Sequence, residues 1–138
     1  MYKKIMVPID LEHADKLGKA LDTAADLAEK YGATLCYFGV TASTPGATAH
    51  TPQEYAAKLD AFAKEQGSKR GVAAESKAMV SHDPSIDLDD TLVKAMKETG
   101  ADLVVMATHV PDISDYLWSS NGGHLASHSD ASVFLVRG

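Results

Sequence analysis

The chain has 138 residues, 45% of them hydrophobic and 23% charged, with a formal net charge of −6 at pH 7. This composition predicts one globular domain over residues 1–138 that buries a core, and it excludes a disordered chain. The acidic balance argues against a nucleic-acid-binding surface, and the single cysteine, Cys36, excludes an internal disulfide framework.

The first predicted elements are a strand and a long helix. Residues 2–10, YKKIMVPID, predict a strand because apolar residues stand at alternate positions. From Leu11 the apolar residues recur at steps of three and four, which predicts a first helix, and Gly32 stands where a helix ends. The apolar face of this helix consists of Ala14, Leu17, Leu21, Ala24, Ala28 and Tyr31.

A second strand, a loop and a second helix come next. Residues 33–40, ATLCYFGV, predict a strand, and the composition of residues 41–52 is typical of a loop. A second helix follows, and residues 72–80 predict a third strand. The apolar side of this second helix carries Tyr55, Leu59 and Phe62.

The second half of the chain repeats the alternation. A third helix begins within residues 81–90, which supply N-cap candidates and acidic first-turn residues, and it ends at Gly100. Residues 101–108 form a nearly continuous apolar run, as expected for a strand that is covered on both faces. A short fourth helix through His124 and a last strand, residues 131–137, follow. The alternation predicts an α/β fold with a parallel sheet and helices on both faces.

The residues that follow the strands are candidates for a binding site, because open parallel sheets bind ligands at the carboxyl ends of their strands. Asp10 directly follows the first strand. Its carboxylate either bonds ribose hydroxyls or caps the first helix, and taken alone the cap is favoured. Val40 and Val80, at the ends of the second and third strands, offer backbone groups to an adenine edge, as every strand end does.

The segment before the fourth helix is a candidate phosphate site. Ser119, Ser120 and Asn121 stand where hydroxyls and the free N–H groups of a helix start converge, which attracts phosphate. The alternative is that Ser120 or Asn121 only caps the helix and Ser119 is solvated. His109, at the end of the fourth strand, either lines this site or packs against the loop.

Over essentially its whole length the chain resembles the universal stress protein family. The resemblance rests on KKIMVPID, the helix ALDTAADLAEKYGATL, the segment DPSIDLDDTLVKAMKETGADLVVMATH and the terminal HLASHSDASVFLVR. It implies a doubly wound, Rossmann-like fold with five parallel strands in the order 3-2-1-4-5 and a homodimer paired through the C-terminal strand. It also implies an adenine nucleotide, ATP or AMP, with or without Mg²⁺, at the ends of strands 1, 2 and 4.

The phosphate loop departs from the pattern of that family. The family loop reads Gly, two residues, Gly, about nine residues, Gly, then Ser or Thr. The matching positions here are Ala107, Val110 and Ser119 followed by Ser120, so all three glycines are replaced. Glycine permits a positive φ and close approach of the backbone to phosphate, and a β-branched residue at Val110 suits neither. The Val110–Pro111 pair favours an extended turn instead.

One branch of the family has a loop of the form HxPDIxxYL followed by SN, and this chain resembles that branch. The resemblance implies a nucleotide site with a differently shaped loop, while loss of nucleotide binding stays open as the alternative. The residues on that frame are His109, Pro111, Asp112, Ile113, Tyr116, Leu117, Ser120, Asn121 and His128.

The function that the resemblance implies is that of a stress-response regulatory protein that binds an adenine nucleotide. The alternative, which the missing glycines favour, is a nucleotide-free dimeric interaction module that regulates a transporter or a signalling partner. In the first scheme Asp10 contacts the ribose, Val40 and Val80 frame the adenine, and the loop residues hold the phosphates. The expected nucleotide-binding residues are Pro8, Ile9, Asp10, Val40, Val80, Ala107, Thr108, His109, Ser119, Ser120 and Asn121.

Catalysis and metal binding are the least favoured functions. The sequence has no Walker lysine, no evident Mg²⁺ carboxylate beside the loop and no G-x-S-x-G elbow, so no catalytic residue is assigned. Any ATP hydrolysis or autophosphorylation is expected to be slow. His124 and His128 stand four apart, a spacing that zinc sites use, but no cysteine or acidic third ligand accompanies them in the sequence, and we expect no metal site.

The partners expected are an adenine nucleotide, a second copy of the chain and a further protein, and no nucleic acid. The last strand, SVFLVR, is apolar and lies at a sheet edge, which favours pairing with a second copy. No apolar run approaches the roughly 20 residues that cross a bilayer, and the first strand is not preceded by a signal-peptide pattern. We therefore expect a cytoplasmic protein that is not embedded in a membrane.

Overall fold

The computed structural model describes residues 1–46, 48–82, 84–110, 118 and 121–138, with the backbone alone for residues 84–87. Its strands are β1 (Lys4–Pro8), β2 (Thr34–Ala42), β3 (Ala74–Ser81), β4 (Leu103–Thr108) and β5 (Ser132–Arg137). Its α-helices are α1 (Gly18–Tyr31), α2 (Pro52–Arg70), α3 (Pro84–Thr99) and α4 (Asn121–His128). Within these ranges, no helix is both long enough and apolar enough to cross a bilayer.

The strands form one parallel sheet in the order β3-β2-β1-β4-β5, which confirms the predicted α/β fold. The chain winds from β1 outward to β3 and then returns to add β4 and β5 on the other side. Because such crossovers are right-handed, α1 and α2 cover one face of the sheet and α3 and α4 cover the other. The winding reverses between β1 and β4, and the carboxyl ends of strands near such a point are where these sheets bind ligands.

β2 extends beyond β1 at the carboxyl edge of the sheet. The last paired residues of these two strands are Pro8 and Phe38, and the Ile9 amide adds a hydrogen bond of 2.8 Å to the Phe38 carbonyl. β2 then continues to Ala42, which pairs with Ser81 of β3. The end of β2 therefore keeps a strand neighbour on its β3 side and has none on its β1 side.

The first helix begins later than its apolar spacing predicts. Residues Leu11–Lys16 form a 3-10 helix, and α1 begins only at Gly18. His13 (φ −114°, ψ 20°) and Leu17 (φ −101°, ψ 17°) have non-helical backbone angles, so the two helices are separated by a break. The prediction of one continuous helix from Leu11 is therefore wrong. The spacing misleads because Leu17 is buried on the same side as the α1 residues although it lies outside the helix.

The core fills the space between the sheet and the helices on its two faces. Ile5 of β1, Leu35 of β2 and Val104 of β4 are completely buried, as the continuous apolar runs predict. α2 packs against β2 and β3. It begins at an N-cap, where the Thr51 side chain accepts a hydrogen bond of 3.0 Å from the Glu54 amide. These packed strands fix the positions of the residues that follow them.

Trp118 closes the core at the carboxyl end of β1. Its side chain is fully buried, and its indole Nε1 donates a hydrogen bond of 2.9 Å to the carbonyl of Ile9. Its ring lies 5.8 Å from the ring of Phe38, measured between centroids. A buried tryptophan with its N–H satisfied is a packing element, so Trp118 ties the segment before α4 to the first two strands.

Candidate functional site

A cleft opens at the carboxyl ends of β1 and β2, beside the segment that leads to α2. Its volume is about 260 Å³, close to the lower end of the roughly 300–1,000 Å³ that is typical of small-molecule sites. It is lined by residues 10–13, 40–42, 44–46, 48, 49 and 55. Neither Val110 nor Trp118 is among the lining residues, so these two bulky side chains do not fill it.

The carboxylate of Asp10 faces His13 and does not cap the helix that follows. Asp10 stands at the N-cap position with an extended backbone (φ −107°, ψ 103°), but its side chain makes no capping hydrogen bond. Instead, its Oδ2 atom lies 2.9 Å from Nδ1 of His13, and the side chain is 13% exposed. The helix-cap interpretation of Asp10 is therefore wrong, and its carboxylate belongs to the cleft wall.

The backbone of Val40 points into the space that β1 leaves open. The carbonyl of Phe38 accepts from Ile9 on the β1 side, and in a strand every second residue directs its amide and carbonyl to the same side. Val40 is two residues further on, so its N–H and C=O also face the β1 side, past the last pairing of β1 with β2. One backbone donor and one backbone acceptor are thereby presented side by side in the cleft.

Tyr55 of α2 packs directly over Gly39. A Cβ atom at position 39 would overlap the phenol oxygen of Tyr55, so only glycine allows this approach. Tyr55 is 4% exposed. Burial raises the pKa of its phenol, and the nearby charge of Asp10 adds to that effect. The phenol therefore stays protonated at neutral pH and gives the cleft a rigid aromatic wall.

Three neighbouring side chains give the same cleft a candidate cation site. One potential ligand atom from each of Asp10, Glu12 and His13 lies within 4.8 Å of the other two. Two carboxylates and one imidazole suit a divalent cation such as Mg²⁺ or Mn²⁺. The two carboxylates also make this wall negative, so a phosphate group is repelled here unless a cation lies between them.

The predicted site residues of β1 and β3 are placed differently from Asp10 and Val40. Pro8 and Ile9 are buried, and the amide and carbonyl of Ile9 are both hydrogen-bonded within the protein. Val80 is 46% exposed and lines a separate depression between the end of β3 and α3. The structure thus brings Asp10 and Val40 together and places Val80 outside their cleft.

At the end of β4, where the loop glycines are replaced, a histidine adopts a positive φ. Among the described residues, His109 is the non-glycine residue with a positive φ, 52°, and histidine is one of the few residue types enriched there. Its Nδ1 lies 3.0 Å from Oγ1 of Thr108. Val110 has no positive φ and is 7% exposed, which agrees with the poor fit of a β-branched residue to a positive φ. Ala107 is buried and pairs with Val136 of β5.

The start of α4 is tied to α3. Asn121 is the first residue of α4 and is buried. Its Nδ2 donates a hydrogen bond to Oδ1 of Asp89, and its amide lies 3.4 Å from the carbonyl of Trp118. Asn121 therefore connects two helices with its side chain. Of the other predicted loop residues, the following lie outside the described residues: Pro111, Asp112, Ile113, Tyr116, Leu117, Ser119 and Ser120.

Sequence reasoning missed three side chains that line the cleft. Glu12 and His13 were hidden because residues 11–16 were assigned to a regular helix, although His13 stands three residues after Asp10, a spacing that brings side chains together. Tyr55 was assigned to the core, where it also belongs. Its contact with Gly39 had no signal in the sequence beyond the glycine itself.

A sequence model of the universal stress protein family matches residues 1–137. The chain belongs to the universal stress protein family. The resemblance deduced from the sequence motifs is confirmed, and so is the strand order that it implied.

Known members of the family align with nearly all of this chain. Universal stress protein G of Shigella flexneri is 28% identical over an alignment 148 residues long, and this alignment covers 99% of this chain and 100% of that protein. The crystal structure of a family member from Burkholderia pseudomallei has a TM-score of 0.69 at 26% identity and covers 98% of this chain and 96% of its own. A universal stress protein in complex with cAMP has a TM-score of 0.68 at 22% identity, with coverage of 99% and 97%.

Proposed function

We propose that this universal stress protein binds an adenine nucleotide, ATP or AMP, in the cleft at the ends of β1 and β2, and that it acts as a regulatory protein in the stress response. The observation that carries the proposal is the orientation of Val40, whose N–H and C=O face the cleft past the end of β1. Adenine offers an acceptor at N1 and a donor at its N6 amino group, which complement one backbone donor and one backbone acceptor. The cAMP complex of a family member with the same fold supports this choice of ligand.

In this proposal each part of the nucleotide meets a different part of the cleft. The carboxylate of Asp10 accepts hydrogen bonds from ribose hydroxyls through Oδ1, since Oδ2 is engaged with His13. Tyr55 packs beside the adenine through its buried ring. The phosphates lie toward residues 107–109, 119 and 120, which hold them less firmly than a glycine-rich loop would, and Asn121 is already bonded to Asp89 and to the carbonyl of Trp118. A Mg²⁺ ion held by the Asp10, Glu12 and His13 group screens the phosphates from the two carboxylates.

Calorimetry and thermal unfolding with ATP, AMP and ADP test the proposal. A nucleotide at a hundredfold over its Kd stabilises the folded protein by about 2.7 kcal/mol, which is a clear shift in Tm. Asp10→Asn removes a charged acceptor, and we expect it to weaken nucleotide binding by roughly tenfold or more. Asp15→Asn is the matched control, because Asp15 lies exposed in the same 3-10 helix and outside the cleft. Equal affinities of the two variants would remove Asp10 from the site.

The proposal also includes a homodimer formed through β5. β5 pairs with β4 alone within the described sheet, and Phe134 and Leu135 of this edge strand are each 45% exposed. A second β5 strand would satisfy the open hydrogen-bonding edge and cover both apolar side chains. Light scattering at micromolar concentration should give twice the mass of 14.6 kDa. A Phe134→Glu variant should give the monomer mass, and a monomeric wild-type protein would contradict this part of the proposal.

A nucleotide-free interaction module is the second candidate function. The burial of Val110 and Trp118, where the family pattern has a glycine-rich loop, favours it because these side chains leave less backbone exposed to phosphate. In that case the dimer surface acts on a protein partner, such as a transporter or a signalling protein. Unchanged melting curves at millimolar ATP, AMP and ADP would establish this function over nucleotide binding.

A further inference from the structure

Helix α4 carries two histidines whose side chains are arranged as a pair. His124 and His128 are four residues apart, and their rings stack with 4.1 Å between centroids and 13° between planes. Residues at this spacing lie one above the other on the same helix face. The two imidazoles therefore form one cluster on the side of α4 that faces α3.

The hydrogen bond of His128 fixes which of its nitrogens is free. Its Nδ1 lies 2.9 Å from the backbone carbonyl of His124. A carbonyl only accepts hydrogen bonds, so Nδ1 carries the hydrogen, and the lone pair of the neutral ring is on Nε2. Donation from Nδ1 to a backbone carbonyl is also how metal-binding histidines are commonly held.

A carboxylate also lies near His124. The Nδ1 atom of His124 is 3.7 Å from Oδ2 of Asp89 on α3, an electrostatic contact longer than a hydrogen bond. Asp89 is itself held in place, because its other oxygen accepts a hydrogen bond from Asn121 Nδ2. His128 therefore has an oxygen acceptor at Nδ1 and His124 has a carboxylate nearby, and among the described residues no hydrogen bond to either Nε2 atom is present.

The pair lies on an open cleft between α3 and α4. The cleft has a volume of about 600 Å³ and is lined by the two histidines and by Asp90, Val93, Lys94 and Lys97 of α3. His128 is exposed, and the side chain of His124 is 33% exposed. An ion can therefore reach the imidazoles from solvent without any movement of the helices.

We propose that His124 and His128 bind a divalent transition-metal ion of the Zn²⁺ class through their Nε2 atoms. Zinc–imidazole bonds of about 2.0–2.1 Å place two ligand nitrogens roughly 3.3 Å apart in tetrahedral geometry. The rings stack with nearly parallel planes, so both must rotate out of the stack before their Nε2 lone pairs converge on one ion. Water completes the coordination. Such an exchangeable surface site departs from the prediction of no metal site, which rested on the lack of a cysteine or acidic third ligand near the two histidines in the sequence.

The charges around the pair restrict which cation binds. Lys94 and Lys97 line the same cleft as Asp90, so the site does not attract cations by charge. Binding then depends on imidazole donors, which favour Zn²⁺, Ni²⁺ and Cu²⁺ over Mg²⁺ and Ca²⁺. This separates the His124–His128 pair from the carboxylate-rich group at Asp10, which suits the harder cations.

Titration of the nucleotide-free full-length protein with ZnCl₂, followed by calorimetry, tests the proposal. We expect one ion per chain at this site, and at least tenfold weaker binding in both His124→Ala and His128→Ala. The double variant should bind no more weakly than the weaker single variant, because either change already breaks the chelate. His50→Ala, which removes an exposed histidine from another part of the fold, should bind Zn²⁺ as the wild type does.

A second set of variants separates a chelate site from weak surface binding and from the other cation group. Asp89→Asn should weaken Zn²⁺ binding by less than about tenfold, since it removes a nearby negative charge and no hydrogen bond to the imidazole. Mg²⁺ at the same concentrations should not compete. Wild-type Zn²⁺ affinity in His124→Ala or in His128→Ala would overturn the proposal. So would loss of binding in His13→Ala alone, which would place the ion at Asp10. Circular dichroism of each variant verifies the fold.

Discussion

The two ends of the carboxyl edge of the sheet are built in different ways. On the β1–β2 side, backbone groups and a carboxylate face an open cleft, and the close approach of Tyr55 depends on Gly39. On the β4 side, His109 adopts the left-handed conformation and Val110 and Trp118 are buried. Among the described residues, the β1–β2 side leaves a cleft open to a ligand, whereas on the β4 side Val110 and Trp118 are packed into the core.

The largest effect is expected from Trp118→Ala. This change removes a fully buried ring and leaves the Ile9 carbonyl without its indole partner, so the free energy of unfolding should fall by about 3–5 kcal/mol. Urea denaturation measures it. The Asp10→Ala variant should lose less than about 2 kcal/mol, because its pair with His13 lines an open cleft where water can replace the carboxylate. Comparable losses of unfolding free energy in the two variants would contradict the idea that Trp118 stabilises the fold and Asp10 serves the cleft.

Gly39→Ala should disturb the packing of Tyr55 in the cleft at the ends of β1 and β2. Its Cβ atom would overlap the phenol oxygen of Tyr55, so the ring must move, at a cost of roughly 1–3 kcal/mol in stability and with loss of nucleotide affinity. In the Gly39→Ala/Tyr55→Phe double variant, the worst contact is absent and most of the stability should return. A double variant as unstable as the single one would show that the overlap is not the cause.

The number of phosphates on the ligand should change its affinity for the protein only slightly. Because the three loop glycines are replaced and Asp10 and Glu12 are negative, the Kd values of adenosine, AMP and ATP without Mg²⁺ should agree within about tenfold, or about 1.4 kcal/mol. Calorimetry with the three ligands measures this. A gain of a hundredfold or more from adenosine to ATP would mean that the loop residues grip phosphate as strongly as a glycine-rich loop.

The smallest expected effect is a difference in thiol reactivity between the two ends of β2. Burial raises the pKa of Cys36 to about 11, so at pH 8 only about one thiol in a thousand is ionised and Cys36 should not react with a thiol reagent. A Thr41→Cys variant places a thiol in the cleft lining, where it should react and be protected by AMP. Equal labelling of both thiols, or labelling that AMP does not slow, would argue against a ligand at this end of β2.

The sequence predicted the fold more fully than the site. The number of strands and helices follows from the apolar runs, since a buried parallel sheet leaves a strong pattern, whereas the strand order was implied by the family resemblance alone. The break at Leu17 and the left-handed His109 depend on backbone angles that no spacing reveals. Asp10 and Val40 line one cleft, and their contact with a nucleotide stays a prediction. Val80 lies apart from them, in the depression between β3 and α3, and no spacing in the sequence reveals that separation.

Amide chemical shifts of ¹⁵N-labelled protein during titration with AMP test the central claim most directly. The account predicts that the amide of Val40 shows one of the largest shifts, with smaller changes at residues 10–13, because its N–H donates to the adenine ring. The amides of α4 around His124 should move little, which gives an internal reference. An unmoved Val40 amide at saturating AMP would contradict the assignment of this cleft to an adenine nucleotide.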